Sequence, residues 1–262
     1  MNWRWKPHDC DIPRFNATNM LELIRGKRLV FVDPWRVYET PGRRITKDKG
    51  NYSFKFLDDK CTVEYYVSHF LVHEGKDRVG RKRMQTLRID TVDRGSSDGE
   101  ELMVNYYQEA DNVLPHLDSS TAFTKSMTTW ASWVDKNINP RRTQVIFRSS
   151  APSHFEGGEW NAGGHCKEAT RPLNQTIITK NSPDKNLMLQ RIIKQMITPV
   201  KFLNITILSD YRIDGHPSIY GRKKGSPLKG EYCSHWCLPG VPDVWKILYV
   251  HLQSNVKNRY IQ

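Results

Sequence analysis

Apolar positions change their period several times along the chain, and each change predicts an element. Residues 1–18 are polar and aromatic without a period, and Pro7 and Pro13 break any helix there. Met20, Leu21 and Ile24 then share one face of a short helix over 19–26, stopped by Gly26. Residues 27–32 (KRLVFV) place four apolar residues in a row after two basic ones, the pattern of a buried strand. Residues 34–50 are turn-rich and charged. Segments 53–56 and 62–67 are rich in β-formers and predict a hairpin, and 70–73 and 84–90 add two strands. Residues 91–112 give no clear period, and 93–101 (DRGSSDGEE) reads as an exposed loop.

The second half is more regular. Phe123, Met127, Trp130 and Val134 recur at helical spacing and predict a helix over 119–138, capped by Ser119 or Ser120. A strand follows at 143–147, then a loop over 148–164 with two Gly-Gly pairs. A second helix is expected over 183–197, a strand over 201–208 (KFLNITIL) and a polar turn over 214–218. Pro242 suits the first turn of a last helix that carries Trp245, Leu248 and Leu252 on one face. Strands alternating with helices predict an α/β fold with a parallel sheet. With no repeat and no linker, residues 1–262 read as a single domain.

Charge changes this picture little. The 262 residues carry a net +12, dispersed, with clusters at Arg78–Arg83 and Arg222–Lys229. Such a surface attracts a polyanion without naming it: nucleic acid, acidic polysaccharide and anionic lipid all qualify. No apolar run reaches the length of about eighteen residues that a membrane span needs. The N-terminal residues lack the apolar core of a signal peptide. Four acceptor sequons, at Asn16, Asn51, Asn174 and Asn204, and five cysteines nonetheless point to a secretory-pathway history. Five is odd, so disulfides leave one thiol over. A zinc site from Cys166, Cys233 and Cys237 with His165 or His235 is the rival; the C-x3-C spacing fits it poorly, and no metal or cofactor is expected.

Residues 232–245 (YCSHWCLPGVPDVW) concentrate Cys, His, Trp and Pro on an ordered loop before the last helix. His235 there is the leading general base for nucleophilic acyl chemistry, which needs a nucleophile, a base and a group that orients the base. An Asp three residues earlier would orient it, but that position is Tyr232; Glu231 is the neighbouring substitute. Ser149, Ser150 and Ser153 are formal nucleophiles, although hydroxyls in such turns more often bond their own backbone. His216 reads as a turn histidine bonded to backbone. His154, Trp160 and Trp236 form a candidate aromatic platform for a sugar, with core packing the alternative for each tryptophan.

The stretches NWRWKPHDCDIPRFN, MLELIRGKRLVFV, KCTVEYYVSHFLV, FRSSAPSHFEGGEWNAGGHC, SDYRIDGHPSIY and CSHWCLPGVPDVW resemble the plant trichome birefringence-like family, whose members carry an SGNH-type PC-esterase domain. The resemblance runs almost from end to end. It implies a three-layer α/β sandwich with a mainly parallel central sheet, here incomplete, in a Golgi type II membrane protein that O-acetylates cell-wall polysaccharides such as xylan, pectin or mannan. It also implies a Gly-Asp-Ser nucleophile after the first strand and an Asp-x-x-His motif in the CSHWC loop. The chain departs from this pattern. After Val32 comes Asp33-Pro34-Trp35, with no Ser. The segment after Ser97 that carries Asn-Thr-Gly/Ala-His-Trp-Trp in the family is replaced by residues 98–103. Tyr232 stands where the motif has Asp, and the N-terminal anchor and Cys-rich region are not seen. Only His235 carries over. The expectation is therefore a family member without acetyltransferase activity, whose partner is an acidic or neutral polysaccharide. The alternative is a non-catalytic pectin-binding protein; nucleic acid is not the expected partner. Loss of the first crossover helix predicts exposed apolar sheet surface and poor solubility.

Overall fold

The structure, a computed structural model, describes residues 15–33, 46–48, 51–68, 70–79, 81–93, 106–114, 117–173, 184–219 and 231–257. They belong to two compact units. One is built from residues 21–145 and 184–200, the other from residues 1–20, 146–183 and 201–262. The basic cluster at 222–229, Cys10 and the sequon at Asn174 lie outside the described residues.

Helix α1 (Ala17–Leu23) starts at Asn16, whose Oδ1 accepts the Asn19 N–H at 3.1 Å. Gly26, at φ +68, then turns the chain into β1 (Arg28–Asp33); that left-handed angle suits a residue without a Cβ. In the first unit β1 joins β2 (Thr46–Asp48), β3 (Asn51–Phe56) and β4 (Cys61–Val67) in a sheet of order β1-β4-β3-β2. The expected hairpin is β3–β4, antiparallel, while β1 runs parallel to β4. The expectation of a buried β1 is not met. Among the described residues it is an edge strand, and Val30, Phe31 and Val32 are 40%, 44% and 53% exposed. An edge strand is paired on one side only, so apolar side chains there depend on a covering element.

A second sheet of the same unit, ordered β5-β6-β7-β8, contains β5 (Val72–Val79), β6 (Lys82–Val92), β7 (Tyr106–Glu109) and β8 (Asn112–Leu114). The strands expected at 70–73 and 84–90 extend into this long β5–β6 hairpin. Strands β7 (YYQE) and β8 (NVL) were not foreseen, being short and lacking an apolar alternation. Parallel pairing occurs at β1–β4 and β6–β7; β2–β3, β3–β4, β5–β6 and β7–β8 are antiparallel.

Helix α2 (Ser119–Asn137) buries Ala122, Ser126, Met127, Trp130, Ala131 and Val134 along one face. Its cap is Asp118 rather than Ser119 or Ser120: one carboxylate oxygen accepts both the Ser120 and Thr121 N–H at 3.0 Å. The Thr129 hydroxyl donates to the Ile89 carbonyl of β6 at 2.6 Å. Helix α3 (Asp184–Gln195) packs on α2, where the Thr124 hydroxyl meets the Met188 sulfur at 3.3 Å. The amides of Ile197 and Thr198 beyond it donate to the Asp135 carboxylate at 3.0 and 2.7 Å.

β9 (Val145–Arg148) and β10 (Val200–Leu203) form a two-stranded sheet. The strand expected over 201–208 ends at Leu203, and the chain turns into the short helix α4 (Thr206–Asp210). The cause is Ser149. Its buried hydroxyl oxygen accepts the Ile205 and Thr206 N–H at 2.9 and 3.2 Å and the Thr206 hydroxyl at 2.8 Å. Amides that would continue a strand ladder are satisfied locally instead. Helix α5 (Val241–Lys257) begins with the Gly240 N–H on Asp243 Oδ2 at 2.8 Å, and Pro242 lies in its first turn as expected. No helix among the described residues is long and apolar enough to cross a membrane. Mixed sheets with helices give the α/β class that the sequence predicts.

Candidate functional site

The second unit gathers the residues singled out by sequence. A disulfide joins Cys166 to Cys233, with Cα atoms 5.9 Å apart, and ties the glycine-rich loop to the loop that carries His235. Alongside it, the His154 N–H donates to the Cys233 carbonyl at 3.0 Å. The Cys166 N–H and the Ser218 hydroxyl donate to Glu231 Oε2 at 2.9 and 2.8 Å. Burial pushes the pKa of Glu231 up, but those two donors, together with nearby Lys167 and His165, hold the carboxyl below its ordinary value. Glu231 thus clamps two loops, so the idea that it orients His235 finds no support in its bonds. Two of the three sulfurs that the zinc reading requires, those of Cys166 and Cys233, are bonded to each other. Cys61 and Cys237 are thiols, and at Cys237 burial and then Asp214 push the pKa up.

Below this brace lies a chain of imidazoles. His154 Nδ1 is 2.6 Å from His216 Nε2, and His154 Nε2 is 3.2 Å from Asp210 Oδ1. His216 Nδ1 is 2.5 Å from the carbonyl oxygen of His235. Donor accounting fixes the protons. A carbonyl only accepts, so His216 carries its proton on Nδ1. Its Nε2 is then an acceptor, and His154 Nδ1 donates to it. The other nitrogen of His154 faces a carboxylate, which also only accepts. All three bonds close when His154 is an imidazolium paired with Asp210 and His216 is neutral. Burial pushes the pKa of His216 down to about 4 and the charge on His154 acts in the same direction, against the favourable bond to the His235 carbonyl.

Trp236 covers the cluster. Its ring lies 4.2 Å from that of His216, meets His154 edge-on at 5.8 Å, and meets Trp245 edge-on at 5.9 Å. Its indole N–H is buried and has no acceptor among the described residues. Trp245 donates its own N–H to the Ser209 hydroxyl at 2.9 Å, and Arg148 lies over its ring at 5.4 Å. Gly215 allows this closeness: a Cβ there would come within 2.9 Å of Trp236 Cζ3 and of Val241 Cγ2. Arg212 and Asp214 form a two-pronged ion pair beside it, at 2.7 and 3.1 Å.

The imidazole relay holds the main chain of His235, not its ring. That ring is exposed, with Ser234 Oγ 3.4 Å from Nδ1 and Tyr232 edge-on at 5.3 Å. Asp210 pairs with His154 and Asp214 with Arg212. Of the formal nucleophiles, Ser149 is locked into the start of α4 and also faces Asn204 Oδ1 at 3.3 Å; Ser150 and Ser153 are exposed. Trp160 is 65% exposed on a loop closed by the Glu156–His165 bridge. Gly158 and Gly164 pack backbone to backbone there, a Cβ at either meeting a carbonyl oxygen at 2.3 Å. His154, grouped with the tryptophans by sequence, lies in the relay. Asp210 and the Arg212–Asp214 pair were missed, because no local spacing marks them.

The class follows from fold and motif together. A family model described as PC-Esterase, a GDSL/SGNH-like acyl-esterase family found in Pmr5 and Cas1p, matches residues 97–252. The relatives narrow it further. Protein trichome birefringence-like 6 of Arabidopsis thaliana is 55% identical over 294 residues, covering 96% of this chain and 62% of the relative. Protein trichome birefringence of the same plant is 41% identical over 297 residues, covering 95% of this chain and 49% of the relative. Protein trichome birefringence-like 42 is 31% identical over 288 residues, covering 97% and 79%. The chain belongs to the trichome birefringence-like family. It spans roughly half to three-fifths of the length of the first two relatives. The 294 aligned positions also exceed the 262 residues of the whole chain, so this relative carries internal residues that the chain lacks.

Proposed function

We propose that this chain derives from the O-acetyltransferases of plant cell-wall polysaccharides, has lost acetyl transfer, and keeps a polysaccharide-binding surface on the Trp160 loop. The observation that carries the reading is the surroundings of His235: its ring has Tyr232 edge-on where the family motif places a carboxylate, and the buried hydroxyl of Ser149 serves α4 instead. Acyl transfer through an enzyme ester needs a nucleophile, a base and an orienting acid acting together. Two of the three are missing from the matching positions. The exposed face of Trp160, on a braced loop, suits the apolar C–H face of a sugar ring.

The family model runs through both compact units, which supports reading residues 1–262 as one PC-esterase-like domain. Golgi residence in a type II membrane protein is carried over from the resemblance. Of the sequons, Asn16 is exposed and suited to a glycan, whereas Asn204 is half-buried with its amide oxygen engaged.

Incubation with a labelled acetyl donor should leave no acetyl group on the protein; stoichiometric labelling would overturn the loss of activity. Retention on immobilised xylan should fall on Trp160→Ala. A chain that does not bind xylan or pectin at all would sink the binding part.

A further inference from the structure

Three metal-ligating atoms converge at the Cys166–Cys233 disulfide. The two sulfurs and a carboxylate oxygen of Glu231 all lie within 4.8 Å of one another. The cysteines are 67 residues apart in sequence and buried at 4% and 0% exposure. Sulfurs bonded to each other are not thiolates, and only thiolates ligate a metal well, so the convergence matters once that bond is open.

A disulfide needs no carboxylate, yet Glu231 is fixed beside this one. Its Oε2 accepts from the Cys166 N–H at 2.9 Å and the Ser218 hydroxyl at 2.8 Å, and among the described residues Oε1 makes no hydrogen bond. Outer hydrogen bonds of this kind orient a carboxylate that binds a metal. Reduction would set two thiolates next to the carboxylate. Like charges so close disfavour ionisation, and a divalent cation between them removes the conflict. Two thiolates and a carboxylate suit zinc, which takes sulfur at about 2.3 Å and carboxylate oxygen at about 2.0–2.2 Å and leaves a fourth tetrahedral position to water. Sulfurs in such a site stand about 3.8 Å apart, a spacing that side-chain rotation reaches from Cα atoms 5.9 Å apart. Magnesium and calcium prefer oxygen donors alone and fit this set poorly.

We infer that Cys166, Cys233 and Glu231 form a zinc site that takes over from the disulfide when it is reduced, so that a metal ties the same two loops. Cys237 and its C-x3-C spacing play no part in this site; Glu231, which no cysteine spacing marks, does. A dithiol gives up two electrons and two protons and closes into its own disulfide, while the Cys166–Cys233 bond opens to two thiols. Zinc then binds both sulfurs as thiolates and releases the two protons.

The test uses the full chain, reduced with a dithiol and desalted without oxygen. With cadmium as a spectroscopic stand-in for zinc, thiolate-to-metal absorption should show about one more equivalent bound by the parent than by Cys166→Ser/Cys233→Ser, which keeps Cys10, Cys61 and Cys237. The reduced parent and the serine variant both lack the crosslink, so they differ in thiolates and not in restraint. Zinc should raise the denaturant midpoint of the reduced parent back towards that of the oxidised protein, and magnesium should not. Glu231→Gln keeps an acceptor for both donors, so its oxidised form should melt as the parent does; once reduced, it should bind zinc more weakly by about tenfold or more. Equal cadmium uptake by the serine variant or by the oxidised parent, a midpoint that zinc does not raise or that magnesium raises as much, or full zinc affinity in Glu231→Gln would each overturn the proposal.

Discussion

His216 is buried at 8% exposure and neutral, with both ring nitrogens bonded. Its folded pKa, about 4, lies below its ordinary 6.5. A group whose folded pKa is depressed contributes stability that is complete above its unfolded pKa and lost as pH falls through the folded one. Stability should thus drop on acidification from pH 6.5 towards 4, by on the order of 2 kcal/mol. Denaturant midpoints across that range check this: His216→Phe should be weaker at neutral pH and flatter towards acid, and a parent curve flat between pH 6.5 and 4 would remove the claim. Gly215 gives a second expectation at this scale. Gly215→Ala drives a Cβ against a rigid indole and Val241, so it should destabilise by about 1–3 kcal/mol. A melt unchanged by that substitution would mean the Trp236 packing is looser than described.

Among the elements, β1 and α2 behave oppositely. α2 folds as its sequence reads, because a 3.6-residue period fixes its apolar face before any partner is known. β1 also reads as apolar, yet Val30, Phe31 and Val32 are exposed on an edge. Burial of a strand depends on what lies over it, which the strand's own residues do not show. An exposed apolar edge invites pairing between chains. Phe31→Lys should therefore raise the soluble yield and slow aggregation by light scattering, with little change in the melt. Reduced yield would instead mean that Phe31 is covered in the folded protein. α4 teaches a related lesson: KFLNITIL has a strand's composition, and a serine more than fifty residues earlier halves it.

For the molecule as a whole, the Cys166–Cys233 disulfide is the main covalent restraint among the described residues. It spans 67 residues of sequence, and closing a loop of that length stabilises by about 4 kcal/mol in the chain-entropy account. Thiol reduction, or Cys166→Ala/Cys233→Ala, should lower stability by about that amount. It should also release the Glu231 clamp, detectable as faster amide exchange at Cys166 than elsewhere in the unit. An unchanged denaturant midpoint after full reduction would show that the two loops are held by their hydrogen bonds alone.

By itself the sequence determined whatever is local or motif-borne. This covers the apolar face of α2, the start of α5 at Pro242, the β3–β4 hairpin, the α/β class and the family. Periodicity and short-range turn chemistry set these, and both can be read in one dimension. Tertiary structure alone decided that β1 lies bare, that Ser149 holds the start of α4, and that Asp210, His154 and His216 align into one relay. His154 lies 62 residues from His216 and 56 from Asp210. No period links residues so far apart; the loops that bring them together, and the need to satisfy every buried donor there, exist only once the chain has folded.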